Sequence, residues 1–274
     1  MEESENKDTN VKATIDAVAG LVTAIPIYQD TLQPAAKQIG ASLETVTKTV
    51  NIVLAPIKAL VWGYEKIESF ISERVSEKLK NVPPENITTP PPFIAGPAVE
   101  ALRFAGDDVN LRELYANLLA SAMDISTQHL IHPGYVEILK NLCSDEANLL
   151  QAFIKKSQFP LIDINGKNLD DTGSITFYNN FSHLSHKCVL KFPELVPTYL
   201  NNISRLGLTE IRTGYIVVPN TYEPLENDEE LNEIKANVEK SGRTLSMVRK
   251  YITITEYGKH FIRNVVSEKI QTSH

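Results

Sequence analysis

The side chains best suited to bind a metal ion lie close together in the segment HLSHKC, residues 183–188. His183, His186 and Cys188 carry the nitrogen and sulfur atoms that zinc prefers. A zinc site needs about four such ligands, and this short segment supplies three at most. The other candidates, His129 and His132, are distant in the sequence. We therefore interpret HLSHKC as a polar loop, and we predict neither a bound metal nor another cofactor.

Other catalytic patterns are absent from the sequence. It contains no Gly-rich phosphate loop, no G-x-S-x-G nucleophile elbow and no H-E-x-x-H zinc motif. Two pairs of neighbouring acids, Asp107-Asp108 and Asp170-Asp171, have the residue type of a general acid and base. Adjacent acids beside glycine are, however, typical of turns and helix caps. The sequence therefore favours a non-enzymatic protein, and an enzyme with an unrecognised site stays open as an alternative.

The overall charge argues against nucleic acid as the main partner. The 274 residues include 27 Lys and Arg against 34 Asp and Glu, a formal net charge of -7. Affinity for nucleic acid depends on neutralising phosphates, and no stretch of this chain concentrates basic residues. The only two cysteines are far apart, which fits reduced thiols, and the acidic start MEESENKDTN is unlike a signal peptide. We expect a cytoplasmic protein.

Residues 11–80 show the spacing of amphipathic helices, after a tail of residues 1–10 that we expect to be disordered. Apolar residues recur every three or four positions from Leu43 to Leu79, and prolines divide the region into several helices. Residues 15–62 carry little charge, so their apolar faces could lie in a membrane interface or against a partner. The alternative is that these faces bury against each other in a bundle. The candidate membrane or partner face consists of Leu21, Val22, Ile25, Ile27, Val53, Leu54, Ile57, Leu60, Val61, Trp62 and Tyr64.

The segment NVPPENITTPPPFIAGP, residues 81–97, contains six prolines and predicts an extended connector rather than a helix. Residues 98–156 then predict a central helical domain. Its segment YANLLASAMD, residues 115–124, is interpreted as a core helix that is capped by Asp107 or Asp108. Further helices are expected from His132-Pro133 and from Ser144. The predicted buried side of the last one is Leu149, Leu150, Phe153 and Ile154.

Residues 157–274 predict a smaller α+β domain. FPLIDING and GSITFYNNF indicate short strands or loops, and they are followed by a helix to about Leu206, a Gly207 cap and a strand from Leu208. YIVV (215–218) and YITIT (251–255) are β-like, and EYGKHFIRNVV predicts a closing helix. The charged segment 223–244 is interpreted as a helical or mobile insertion.

The order helix, LGL, strand, excursion, strand and T-E-x-G-x-x-F is typical of a winged-helix module. The helix that would enter a DNA groove offers Asn201, Asn202 and Arg205, with the acidic Glu194 at its start. The excursion is rich in acids, so protein contacts are favoured over DNA. The sequence as a whole predicts a mostly α fold, with multi-helix N-terminal and central regions and a small C-terminal winged-helix-like α+β module.

An ordered set of segments carries a resemblance to a known family. These segments are AIPIYQDTLQPAAKQIG (24–40), LKNVPPENITTPPPFIAGPAVEAL (79–102), LRELYANLLASAMD (111–124), HPGYVEILKNLCSDEANLL (132–150), LNNISRLGLTEI and YITITEYGKHF. In them the chain resembles the bacterial abortive-infection alpha (Abi-alpha) family, a domain of unknown function. The resemblance implies a role in defence against phage, and it brings no catalytic residues to carry over.

Two functional hypotheses follow. In the first, the chain is a non-enzymatic anti-phage protein that acts through protein contacts or by disturbing the membrane with its N-terminal helices. In the second, it is a winged-helix regulatory or nucleic-acid-binding module of a defence system. The partners that we expect are proteins, including further copies of this chain, then a membrane surface at the inner membrane, and least of all nucleic acid.

The core interpretation of YANLLASAMD makes a testable prediction. Leu118→Asp should lower the free energy of unfolding by several kcal/mol, because it buries an unpaired charge. Urea unfolding followed by circular dichroism measures the effect. A soluble variant with unchanged stability would show that the segment is not core.

Overall fold

A computed structural model describes residues 64–170 and 172–268 of the chain. The predicted tail, most of the N-terminal helical region and Asp171 lie outside these residues. Of the predicted N-terminal helices, the described residues contain the last one, which runs from Tyr64 to Leu79.

Helices and strands follow one another in an order that places a four-stranded sheet after a run of helices. The first helices are α1 Tyr64–Leu79, α2 Pro92–Ala105, α3 Val109–Ala122, α4 Ile125–Gln128, α5 Gly134–Lys140 and α6 Ser144–Lys155. They are followed by β1 Gln158–Lys167, β2 Ser174–Phe181, α7 Val196–Arg205, β3 Thr209–Thr213, α8 Glu223–Glu226, α9 Asn232–Lys240, β4 Thr244–Ile254 and α10 Glu256–Phe261. A π-helical turn, Ile262–Val266, closes the described fold.

Helix α3 lies at the centre of the helical part. The backbone N–H of Asn110 and that of Leu111 each donate to the Asp108 carboxylate, which caps the helix as the sequence predicts. Every residue from 114 to 122 is buried, and Leu118 is fully buried. Helices α1, α2, α5 and α6 and the π-helical turn all pack against α3. The interpretation of YANLLASAMD as core is confirmed.

Two polar side chains on α3 are directed at the end of the described chain. Asn117 Nδ2 donates to the carbonyl oxygen of Val265 at 2.9 Å, and Ser121 Oγ donates to that of Asn264 at 2.8 Å. Carbonyls at the end of a helix have no partner within it. The two side chains of α3 supply partners for these carbonyls and so fix where the π-helical turn lies.

The proline-rich segment 81–97 is not extended throughout. Helix α2 begins at Pro92, a first-turn position where the missing N–H costs nothing, and it contains Pro97 in its interior. The prediction that helix resumes only at about Pro97 is therefore wrong by roughly a turn. Before Pro92 the chain forms a 3-10 helical turn at Pro84–Asn86, and Ile87 forms an isolated antiparallel bridge with Asp124.

The sheet has the strand order β2-β1-β4-β3, and all three pairings are antiparallel. Strand β1 has ten residues and β4 has eleven, so both exceed the short segments that the sequence predicts. A period-2 pattern is visible in β1, where Phe159 and Leu161 face the helical core while Ile162 and Ile164 face the other side. The described fold is therefore a mixture of helices and sheet rather than mostly α.

The charged segment 223–244 covers the second face of the sheet. It forms α8 and α9, and it buries Leu225, Leu231 and Val238 against β1 and β4. Its helical interpretation is confirmed. YIVV is not a strand, since residues 215–218 lie in a loop with Tyr215, Val217 and Val218 exposed.

Two glycines explain the LGL and T-E-x-G patterns. Gly207 adopts a φ of 77°, and the N–H of Leu208 donates to the carbonyl of Ile203, which ends α7 in a Schellman motif. Gly258 lies so close to the carbonyl oxygen of Leu208 that an added Cβ would be 1.9 Å from it. Both glycines are therefore required where α7, β3 and α10 meet.

Candidate functional site

The histidines of HLSHKC are paired with acids from the charged segment. His183 Nε2 lies 2.6 Å from Asp228 Oδ2, and His186 Nε2 lies 3.5 Å from Glu230 Oε1. The two imidazole rings stack with centroids 5.0 Å apart. The backbone N–H of Glu230 donates to Asp228, and this hydrogen bond is the main cause of the lowered pKa of Asp228. Burial acts to raise that pKa, and the contact with His183 lowers it further. These contacts attach the loop to the segment 228–230.

An open pocket with a volume of about 630 Å³ lies beside this loop. Its walls come from the end of β2, from the chain between residues 185 and 197, and from Glu230. We call it the β2 pocket. It combines apolar side chains, such as Phe181 and Val189, with polar ones that include His186, Cys188 and Glu194.

Burial disfavours the thiolate form of the cysteine in the β2 pocket. Burial raises the pKa of Cys188, with Lys187 opposing, and burial also raises the pKa of Cys143. A catalytic cysteine needs the thiolate, which a raised pKa disfavours. Within residues 64–170 and 172–268, no three His, Cys, Asp or Glu side chains are placed to hold a metal ion.

One wall of the pocket is fixed by a buried carboxylate at the start of α6. Asp145 accepts hydrogen bonds from the backbone N–H groups of Lys191 and Phe192, at 2.8 and 2.9 Å, and from the Tyr199 hydroxyl at 3.0 Å. Burial tends to raise the pKa of Asp145, but these donors outweigh burial and lower it. The residues 190–192 are thereby held against both α6 and α7.

Glu146 completes this junction. It accepts from the Cys143 N–H and from Asn202 Nδ2, each at 2.8 Å. Helix α6 begins at Ser144, as the sequence predicts, but the residue that caps it is Cys143 and not Ser144. The predicted buried side of α6 is correct for Leu149, Leu150 and Phe153, whereas Ile154 is exposed.

A second polar network lies where β2 meets the pocket. Lys250 Nζ is 3.0 Å from Asp163 Oδ2 and 2.7 Å from Asn180 Oδ1, and the Asp163 and Lys250 side chains are both largely buried. Asn180 has a φ of 55°, which asparagine tolerates better than most residues, and its N–H donates to Asp163. This ion pair fixes the irregular end of β2.

The remaining predicted residues have structural roles or lie outside the description. Asp108 caps α3, and Asp170 accepts from Thr172 in the β1–β2 turn. Of the candidate membrane face, ten residues precede the described chain, and Tyr64 is the first residue of α1. Among the described helices, we find none that combines the length and apolar character needed to cross a bilayer.

The pairing of His183 and His186 with acids was not predicted from the sequence. His183 and Asp228 are 45 positions apart in the sequence, and only the folding of segment 223–244 onto the sheet brings the acids near the histidines. The sequence partly indicated where Asp145 lies, because acids directly after Ser144 are typical of the start of a helix. No sequence signal indicated that its partners are the N–H groups of a distant loop.

The fold and the pocket together define an α+β protein in which helices enclose a buried central helix. An antiparallel sheet carries, at its edge, a pocket lined by both apolar and polar side chains. The family model described as "Abortive infection alpha" matches residues 63–265. The chain belongs to this family, as the resemblance of its segments indicated.

Two further comparisons, with curated proteins and with solved structures, concern only what the chain is similar to. A search of curated proteins gives no match. A solved structure of an uncharacterized protein from the hydrocarbon-degrading marine bacterium Alcanivorax borkumensis SK2 is similar at 20% identity and a TM-score of 0.35. The similarity covers 52% of this chain and 96% of that chain.

The contacts of Asp145 make a pH-dependent prediction. Since its pKa is lowered in the folded state, its contribution to stability is complete above its unfolded pKa of about 3.9 and is lost as the pH falls through the folded value. Asp145→Asn should cost about 2 kcal/mol of unfolding free energy at pH 7. The unfolding free energy of Asp145→Asn should also fall less steeply below about pH 4 than that of the parent protein.

Urea unfolding at a series of pH values measures both effects. The exposed Asp107→Asn is the matched control, and we expect it to change stability by less than about 0.5 kcal/mol. Equal effects of the two substitutions would contradict the role assigned to Asp145.

Proposed function

We propose that this member of the abortive infection alpha family acts in anti-phage defence without catalysing a reaction. In this proposal, the folded body presents residues 1–62 to a partner protein or to the surface of a membrane. The family supports the defence role. The low charge and apolar periodicity of residues 15–62 support contact as the means of action.

The observation that carries the proposal is the way in which α1 joins this segment to the body. Helix α1 starts at Tyr64, the last residue of the candidate face, and buries Ile71, Val75 and Leu79 in the main core. Two ion pairs add to this attachment, since Arg74 and Lys78 both lie within 3.0 Å of Glu113 on α3. A segment that is held at one end by a buried helix can engage a surface while the body stays folded.

Leakage of dye from anionic liposomes tests the membrane form of the proposal. We expect the full-length protein to release dye and the double substitution Val53→Glu with Ile57→Glu to reduce release by about tenfold or more, because two charges on an apolar face oppose insertion. The matched control is Thr47→Glu with Asn51→Glu, which adds the same charge at polar positions and should release dye as the parent does.

Circular dichroism and thermal unfolding establish that the body is folded in each variant. Substitutions are preferable to a deletion through residue 80, because such a deletion would remove Ile71, Val75 and Leu79 from the core. Absence of leakage from the folded parent would remove the membrane form and leave protein contact as the form to test, by capture of partners from infected cells.

The order of α7, β3 and β4 supports a second candidate, a winged-helix module. Strand β4 lies between β1 and β3, and α7 precedes β3 through the Gly207 turn. The polar side chains of α7 are, however, engaged within the chain. Asn202 Nδ2 donates to the Asn141 carbonyl and to Glu146, and Arg205 donates to Asn202. This use of α7 favours the contact protein.

Binding to duplex DNA distinguishes the two candidates. We expect fluorescence anisotropy to show weak or no binding at about 50 mM salt, since phosphate contacts dominate such affinity and α7 presents few free cations. Tight binding that falls steeply towards about 200 mM salt, and that Arg205→Ala weakens, would instead support the winged-helix candidate.

A further inference from the structure

We propose that, in the resting protein, the segment 43–62 lies along the outer face of α2 and so keeps its own apolar side chains covered. The outer face of α2 is the side opposite its buried residues, and it carries Phe93 and Phe104. The inference rests on the proposed function for what the segment does after release, whereas the docking itself is argued from the contacts of the described body.

The first observation is that the outer face of α2 is apolar and exposed. The inner face of the helix buries six residues in the main core: Ile94, Ala95, Ala98, Val99, Ala101 and Leu102. On the outer face, Phe93 is 61% exposed and Phe104 is 83% exposed. Because they are separated by about three helical turns, both rings lie on one side of α2, about 16 Å apart along its axis. Contiguous exposed apolar surface of this kind marks a contact site.

The second observation is the space between the two rings. Gly96 is partly exposed, and a Cβ added there would meet no atom within 4 Å. A helix that packs on this part of α2 can therefore approach closely, since the distance between packed helices depends on the side chains at the contact. The exposed Glu100 lies on the same side, so an approaching segment meets one carboxylate between two aromatic rings.

The third observation is the position at which the segment enters the body. The ring centre of Phe70 on α1 is 5.5 Å from the guanidinium of Arg112, and Arg112 donates to the carbonyl oxygen of Gly106 at 3.2 Å. Gly106 directly follows α2, at the end that carries Phe104. Tyr64 precedes Phe70 by about 9 Å of helix, so the segment 43–62 joins the body close to one end of the outer face.

The direction of α1 leaves the rest of the outer face within reach. Helix α1 ends at Leu79, and residues 80–91 connect it to the start of α2 at Pro92. Because the first half of α1 is near the end of α2, the two helices run in opposite directions. A segment that folds back from Tyr64 along α2 therefore passes Phe104 first and Phe93 last.

The length and pattern of the segment fit this path. Its 20 residues would extend about 30 Å as helix, more than the distance between the two phenylalanines. Apolar residues recur along it at steps of three or four, at Leu43, Val46, Val50, Val53, Ile57 and Leu60. Covering this stripe with the outer face of α2 removes both apolar surfaces from water.

Charge and tethering favour this segment over a second copy as the occupant. The segment carries Lys48 and Lys58 against Glu44, a formal charge of +1, whereas the whole chain carries -7. A second copy would bring its net negative charge towards Glu100, and the segment brings a positive one. Since it is joined to α1, the segment also has an effective concentration in the millimolar range at this face.

Fluorescence of Trp62, the only tryptophan of the chain, tests the docking in the full-length protein without liposomes. We expect Trp62 to be protected from quenching by acrylamide in the parent. Phe104→Glu should raise its quenching constant by about twofold or more, because a charge facing the apolar stripe disfavours docking. Phe93→Glu, at the far end of the face, should act in the same direction and excludes a merely local effect on Trp62.

Val217→Glu is the matched control. Val217 is 85% exposed in a loop outside α2, so the substitution adds the same charge at similar exposure and should leave the quenching of Trp62 unchanged. Thermal unfolding should be nearly the same for all three variants, because the substituted side chains are exposed.

Three results would overturn the docking. They are a parent whose Trp62 is quenched as readily as free N-acetyltryptophanamide, a protection that neither phenylalanine variant weakens, and a protection that grows with protein concentration. The last would assign the face to a second copy.

Dye leakage tests the role of the docking separately. If the released segment acts on membranes, Phe104→Glu should speed leakage by about twofold or more, in proportion to the segment that it frees. A variant that frees Trp62 and leaves leakage unchanged would retain the docking and contradict the membrane form of the proposed function.

Discussion

The fold depends on one constraint, which is the burial of α3 on every side from residue 114 onward. Residues 114–123 contain no charged side chain, so no face of this part of the helix is suited to water. Helices α1, α2, α5 and α6 enclose it, and the π-helical turn completes the enclosure. Because Asn117 and Ser121 donate to carbonyls of that turn, the polar atoms of α3 are satisfied by the far end of the described chain. The arrangement therefore joins residues that are more than 140 positions apart.

A second buried group connects this helical part to the sheet. Asp145 holds the chain at residues 191 and 192 and binds Tyr199 of α7, while Glu146 binds Asn202 of the same helix. Buried carboxylates are tolerated when hydrogen bonds satisfy them, and here the donors are mostly backbone N–H groups of a loop. The same contacts shape a wall of the β2 pocket, so the pocket is a consequence of how the two parts are joined.

Charge is distributed unevenly over the sheet. The segment 223–244 places acids beside His183 and His186, and it covers one face of the sheet with Leu225, Leu231 and Val238. Strand β3 is short and charged, whereas β2 is long and uncharged. Membership in the abortive infection alpha family gives this fold a setting in defence.

The sequence by itself determined the local features whose physical cause is local. The 3.6-residue spacing and low charge of residues 111–123 predicted α3 and its burial, Asp108 predicted its cap, and LGL predicted the end of α7.

Only the tertiary structure decided the features that depend on distant partners. The start of α2 at Pro92, the length of β1 and β4, and the absence of a strand at YIVV each follow from packing and pairing that propensity does not specify. The His–acid pairs and the donors to Asp145 required the folding of residues 223–244 and 190–192 onto their neighbours, since a side chain's partner across the fold leaves no mark in the sequence around it.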